Sequence, residues 1–500
     1  MKKVILIISF CLISFFKLFA SPGDSIFAMP YVHNMYVTFP YPNFYDSLIA
    51  TNVTDMYLSV NIDFNGELFQ NVGIKVKGNS SFNNPSQKKS FKVDFNTFVP
   101  AQDIHGLKKL NFNNCFKDPS FMREKLTNDF LIAHNIHAPR TAYCNVYFNN
   151  QLWGIYAVVE AIDDEFCKAW FGNNDGNLFQ GDPQGSLQWF GAQPSAYYQK
   201  YDLENNNTLN DWTDLVNLID VINNTTNANL QAALDAVLNT NDFLKQWVCL
   251  NMFSSLDSYL GSGHNYYIYH DTLTNKFQWI AWDNNEAFGS FKMQLSNLQL
   301  KNLDMYYVSN ATSRPLINKM LANPAYKSLY NQAYCELKDD FTNAYFDSKI
   351  DSLDLQIKSS VYADPKKFYT NSMYDSSLTY DLNITGPQGI NVFGLKNFVS
   401  TRALNIQNNF IANNVVCTNS IENSADNFNL IISPNPVKNS IHIISSSLCS
   451  IYKLYSMDGK EIASGPCNGD IDVSNYSAGV YFLSVLINDR LYYQLVNKID

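Results

Sequence analysis

The sequence predicts an α+β chain in which strands come first, helices follow, and a small all-β piece closes the chain. Three observations predict it. Up to about residue 165, short runs rich in aromatic and β-branched residues alternate with Gly- and Asn-rich turns. From about 212 to 413, apolar residues recur at helical spacing, with breaks at Pro324 and Pro365. After a polar segment at 416–427, residues 428–500 read as short alternating strands with turns at Asn435 and Pro436, Asp458 and Gly459, and Ala478 and Gly479, the pattern of a small β-sandwich.

The chain opens with MKKVILIISFCLISFFKLFASPGDS, two lysines followed by an apolar run and the small residues Ala20 and Ser21. That run is short and broken by Lys17, so residues 1–20 read as a secretory signal peptide rather than a membrane span. Its removal takes three lysines and moves the formal charge from −10 to about −13. So acidic a protein is a poor nucleic-acid binder, and no later apolar run is long enough to be an integral membrane span. Aromatic residues at 15% and charged residues at 16% suit packed cores, and 500 residues are too many for one of them. Eight cysteines follow Cys11 without a C-x-x-C pair, which argues against a zinc ribbon or a thioredoxin-like motif and leaves disulfide pairing open.

Within residues 21–415 the elements come in this order. MYLSVNIDF is a strand, and GIKVKGNSSFNNPSQKKSFKVDF is a strand, a polar turn and a second strand. Backbone amides in a Gly/Ser turn can face phosphate oxygens, but Gly78, Asn79, Ser80 and Ser81 also suit an ordinary hairpin turn. LKKLNFN is a short strand. A helix is expected next, with Asp118 as its N-cap, Pro119 in the first helical position, and Met122, Leu126 and Phe130 on one face. Glu124 sits near its start, where protein kinases keep a glutamate that pairs with a strand lysine. VYFNNQLWGIYAVVE reads as a hairpin turning at Asn149 and Asn150 and ending at Glu160.

Residues 243–289 organise the rest. Phe243, Trp247, Leu250 and Phe253 mark a helix expected to end near Asp257. Gly261 and Gly263 punctuate a loop, and YYIYH and KFQWIAW form a hairpin around DTLTN. A hairpin returns the chain to its starting edge, so Asn265 before it and Asp283 after it are expected to lie together, one short loop from Asp257. Two carboxylates and a carboxamide suit Mg2+, which takes one or two carboxylates and leaves room for substrate phosphates. Acid, Asn, hairpin, acid is also the order in which protein kinases place a catalytic Asp, a metal-binding Asn and a metal-binding Asp. Helix and strand caps account for the same residue types.

An Asp ahead of a short loop, then HNYYIY, then W-D before F-G resembles the spore coat protein H (CotH) family of atypical kinases. The G-N-S-S turn followed by K-K-S-F-K, the M-R-x-x-L pattern and VYFNNQLWGIYAVVE extend the likeness. It implies a two-lobed, protein-kinase-like domain over 21–415, with the first lobe ending near 165. ATP and Mg2+ are the implied cofactors, and a protein Ser/Thr hydroxyl is the acceptor. On this resemblance Lys88, with Lys92 in reserve, contacts phosphate, and Arg123 matters at least as much as Glu124. Glu160 falls at the connection between lobes, either against the nucleotide or as a strand-end charge. Asp257 is the catalytic residue, and Asp283, Asn265 and Asn285 are the metal ligands. The family's W-D-x-D has two acids where this chain has WDNN, so a kinase-like surface protein without catalysis stays in play. Finally, S-P-N-P, D-G-K and A-G-V-Y-F over 428–500 are similar to the C-terminal sorting domain of type IX secretion cargo in Bacteroidetes-like bacteria. That implies the type IX machinery as a partner and a secreted or cell-surface location, reached through the periplasm and outer membrane.

Overall fold

A computed structural model of the chain describes residues 21–384, 391–417, 430–445, 449–456, 461–467, 470–487 and 490–499. The expected signal peptide at 1–20, most of the linker at 416–427 and the turn at Asp458 and Gly459 lie outside those residues. The chain divides into two compact units, 1–417 and 418–500. Among the described residues no helix is long and apolar enough to cross a membrane.

The first unit is α+β and begins with a closed seven-stranded barrel. Its strands are β1 (His33–Thr38), β2 (Leu58–Phe64), β3 (Glu67–Lys77), β4 (Ser90–Asp94), β5 (Lys109–Asn113), β6 (Thr141–Phe148) and β7 (Gln151–Glu160). The order is β1-β2-β3-β4-β5-β7-β6, and a parallel pairing of β1 with β6 closes the ring. Alternation decides what fills it: Ile74, Val76, Phe91, Val93 and Leu110 are buried inside, whereas Lys75 and Lys77 fall on the other face of β3. Asn149 and Asn150 turn the β6–β7 hairpin with φ of 47° and 65°, as two residues in a tight primed turn must.

The helical half has its own core, in which Trp247, Trp279, Phe130 and Phe346 are fully or almost fully buried. Against it lies a four-stranded sheet, ordered β11-β10-β8-β9, made of β8 (Leu178–Gln180), β9 (Asp202–Leu203), β10 (Tyr266–Asp271) and β11 (Lys276–Ala281). Two helix boundaries differ from expectation. Asp118 does not cap a helix starting at Pro119: a turn intervenes with Phe121 at φ 63°, and the helix runs Arg123–Ala133. Asp118 instead accepts from the backbone N–H groups of Ser120 at 3.0 Å and Arg123 at 2.9 Å. The helix Thr240–Met252 stops short of Asp257 because Ser254 takes φ 45°. Those extra residues free Asp257 to stand on a loop.

A disulfide joins Cys335 in the helix Pro324–Lys338 to Cys417, Cys467 is also disulfide-bonded, and Cys115, Cys144, Cys167 and Cys249 are buried free thiols. The second unit is all β. Leu430–Ser433, Ser440–Ser445 and Ile471–Asp472 form one sheet, and Glu461–Gly465, Cys449–Ser456, Gly479–Ile487 and Arg490–Lys498 form another. Val437, Ile441, Leu454, Ile471, Leu483 and Val496 make its core.

Candidate active site

The site grows from the β10–β11 register. Tyr266 pairs with Ala281, so Asn265 and Trp282 leave the ladder side by side and Asp283 is one residue further on. Asn265 and Asp283 both adopt left-handed backbone, with φ of 64° and 54°, which short polar side chains tolerate better than most. Asn265 Nδ2 donates to the Asp257 carbonyl at 2.8 Å, fastening the intervening loop to the mouth of the hairpin. His264 Nε2 lies 3.4 Å from Asp257 Oδ1, and its Nδ1 lies 3.9 Å from Asp182. The negative charge of Asp257 reaches Asp283 and helps raise its pKa, behind the larger effect of burial and against the opposing pull of Lys77.

The structure brings Lys77, rather than Lys88 or Lys92, to Asp283. Lys77, Glu124, Asp283 and Asn285 line one cavity of about 60 Å³, roofed by Gly78 and Ser81 of the Gly/Ser turn. Gly78 is required there: its φ is +101°, and a Cβ would stand 2.3 Å from Ser81 Oγ. Lys77 Nζ donates to Asn111 Oδ1 at 3.1 Å and sits 5.1 Å from the Trp282 ring centre. Burial pulls its pKa down to about 8, with Asp283 resisting. Glu124 has one oxygen taken by Asn113 Nδ2 at 2.9 Å and the other, buried, without a hydrogen-bond partner among the described residues. Burial, then the charge of Asp283, pushes its pKa up to about 7.

Lys88 is committed elsewhere. Its ammonium, fully buried, lies 2.6 Å from the equally buried Asp364. Lys92 lines a second cleft, of about 290 Å³, with Asn111, residues 161–165, Glu204 and Trp282. Asn111 and Trp282 line the cleft and both contact Lys77, which lines the small cavity, so Lys77 stands between the two spaces. Glu160, before the 161–165 segment, is buried and takes N–H donors from the Arg140 backbone at 3.1 Å and the Arg140 guanidinium at 2.9 Å, which occupies it as a strand-end charge. Arg123 does not enter the cavity. It is fully buried, 3.3 Å from Asp118, and donates to the carbonyls of Ala287 at 3.3 Å and Phe393 at 2.6 Å, holding the chain just after Asp283. Glu286 pairs with Lys117 at 2.8 Å. Among the described residues no three His, Cys, Asp or Glu side chains are grouped to hold a metal by themselves.

Lys77 was the residue that sequence reasoning passed over, while the lone His264, directly after Gly263, reads from the sequence as a loop residue rather than a base. Lys77 had a visible signal, since it ends the strand GIKVK directly before the Gly/Ser turn. The pKa of Lys77 makes a test. The unfolded chain holds this proton more firmly than the folded one, so the stability Lys77 contributes is complete above about pH 10.5 and lost as pH falls through about 8. Attraction for anions runs the other way: on the magnesium-nucleotide reading proposed below, Mg-ATP affinity is expected to stay level below about pH 8 and to fall about tenfold per unit above it, as the ammonium discharges. Calorimetric titration from pH 6.5 to 9.5 reads this out, and Lys77→Arg, whose guanidinium stays charged, should flatten the fall.

Comparison with known proteins follows this geometry. The family model described as CotH kinase protein matches residues 74–404. The model described as secretion system C-terminal sorting domain matches residues 431–498, which supports export to the cell surface by type IX secretion. Inner spore coat protein H of Bacillus subtilis (strain 168) is 24% identical over 289 residues, spanning 56% of this chain and 75% of that protein. With two thirds of its length matched to one family, and the acid, Asn, hairpin and acid inside that match, the chain belongs to the CotH kinase family and carries a C-terminal secretion sorting domain.

Proposed function

We propose that this protein is an exported atypical kinase with a two-lobed, kinase-like domain, which transfers the γ-phosphate of ATP to a hydroxyl, with protein serine or threonine as acceptor. The observation that carries the reading is the gathering of Lys77, Glu124 and Asp283 around one cavity whose electrostatics extend to Asp257. The residues suit a magnesium nucleotide. Lys77 is a half-buried ammonium whose charge is disfavoured by its surroundings, and phosphate oxygens beside it relieve that cost. Asp283, with the carbonyl oxygens of Asn265 and Asn285, offers the sparse set of oxygens that magnesium uses when phosphates supply the rest. Bound there, the ion neutralises charge on the β- and γ-phosphates.

The chain's own residues do the remaining work. The 290 Å³ cleft along residues 161–165 takes the base, and Trp282 and Asn111 lead from it to Lys77. Glu124 holds Lys77 in place by charge. Asp257 orients the acceptor hydroxyl and takes its proton as the oxygen attacks phosphorus. Arg123 is a positioning residue for the segment after Asp283. Such catalysis is placement and charge stabilisation, which needs these groups converged before the substrate arrives.

The test is magnesium-dependent nucleotide binding by calorimetry, together with labelling from γ-labelled ATP. Wild type is expected to bind and to label. Absence of nucleotide binding at millimolar Mg2+ sinks the reading. A second reading, a kinase-like surface module without catalysis, is favoured by Asn285, which lines the cavity where the family motif has an acid. If that reading holds, Asn285→Asp should create labelling where wild type has none.

A further inference from the structure

A groove of about 970 Å³ runs beside the loop that follows Asp257. Gly261, Ser262 and Gly263 of that loop form part of its lining, Gln184 and Gln188 come from the segment after Asp182, and Arg314 comes from the turn before the helix Pro315–Ala322. The groove is therefore lined by residues that follow, within a few positions in the chain, both acids that flank His264. Its lining combines amide, hydroxyl and backbone groups with the apolar Met293 and Leu295, and Arg314 is the sole side chain among its lining residues that is ionised at neutral pH.

Arg314 is 6% exposed and incompletely satisfied. Its Nη1 donates to the Ser313 carbonyl at 2.5 Å and its Nη2 to that of Gly261, while its buried Nε has no partner among the described residues. The guanidinium packs on Gly263, where a Cβ would stand 2.5 Å from Cζ. Among the described residues no carboxylate comes within 4.0 Å, and the titratable groups facing it are Tyr259, Tyr266 and Tyr201. The other arginines are placed differently. Buried Arg123 has Asp118, the partly exposed Arg140 has Glu160, and buried Arg402, without a carboxylate, has its donors taken by Asn251, Asn405 and three backbone carbonyls. A buried cation without a counter-charge is costly, and it becomes favourable when an anion arrives to share its free donors.

We propose that this groove holds the acceptor polypeptide and that Arg314 recognises an anionic group near the acceptor hydroxyl, either the carboxylate of Asp or Glu or the phosphate of an already phosphorylated residue. The assignment of the groove to an acceptor rests on the kinase reading, while the preference for anions rests on Arg314 alone. The loop of Gly261–Gly263 couples the two, since one of its ends is the Asp257 segment and its backbone is Arg314's partner.

Fluorescent serine peptides carrying Asp, phosphoserine, Ala or Lys beside the serine, titrated onto the full-length protein without nucleotide, test the idea by anisotropy. Asp or phosphoserine peptides are expected to bind about 10- to 100-fold tighter than Lys peptides, the range set by charge-assisted hydrogen bonds. The order of the two anionic peptides tells carboxylate from phosphate. Arg314→Gln should erase the difference, with a thermal melt to confirm folding. Gln184→Glu, on an exposed groove wall, should cut anionic-peptide affinity even if the first variant does not fold. Equal affinity of wild type for Asp, phosphoserine and Lys peptides overturns the proposal. Anion selectivity without labelling from ATP keeps the anion preference of Arg314 and removes the kinase reading together with the acceptor assignment, whereas labelling with no charge preference keeps the kinase reading and removes the anion preference.

Discussion

Asp257→Asn is expected to lower phosphoryl transfer to a serine acceptor by about 10²- to 10⁴-fold, the usual loss when a positioned general base is removed. Magnesium-nucleotide affinity should change little, because Asp283 and Lys77 remain. The substitution keeps the shape of the side chain, so the loop should keep its place: Asn265 Nδ2 still reaches the residue 257 carbonyl, as it does at 2.8 Å in the native chain. What disappears is the negative charge and the proton acceptor. Steady-state kcat, read against nucleotide Kd by calorimetry, separates these effects. An unchanged kcat would remove Asp257 from the chemistry and move attention to Asp182, on the other side of His264. Asp283→Asn should lose nucleotide affinity as well as rate, since its carboxylate stands beside Lys77.

Lys88→Met is expected to cost about 3–5 kcal/mol of stability, the penalty for leaving one member of a buried ion pair without the other. Both side chains are wholly buried, and the Asp364 carboxylate also accepts from the backbone N–H groups of Ile155 at 3.2 Å and Lys366 at 2.8 Å. The pair ties the start of β4 and the middle of β7 to the chain just after the long helix Asn343–Ala363. Urea unfolding should show the loss, and the double variant Lys88→Met with Asp364→Leu should recover much of it, because no stranded charge remains. Lys77→Met should behave oppositely. It removes an ammonium that burial already disfavours, so stability should hold while nucleotide binding fails. If Lys88→Met abolishes nucleotide binding without destabilising the fold, the division of labour between the two lysines is wrong.

Much of the candidate site could be read before any coordinates. A hairpin brings its two ends together whatever surrounds it, and YYIYH and KFQWIAW could scarcely pair otherwise, so Asn265 and Asp283 were bound to meet. The Asn149–Asn150 turn and the helix break at Pro324 followed from local backbone chemistry for the same reason. Arg123 was expected to matter from the M-R-x-x-L pattern, but its partners lie up to 270 residues away along the chain, and no local pattern announces them. The start of its helix was misjudged because Asp118 satisfies the two N–H groups of a turn as readily as those of a helix end.

By itself the sequence determined the order of elements, the hairpin that seats three oxygen-bearing side chains, and the sorting domain at the end. Only the tertiary structure decided which lysine shares a cavity with Asp283. Lys77, Lys88 and Lys92 sit on or beside neighbouring strands with equivalent local patterns. Closing the barrel sends one to the Asp283 carboxylate, one to a buried Asp364 and one to the adjoining cleft. Charge pairing across hundreds of residues depends on where surfaces meet, and periodicity carries no record of that.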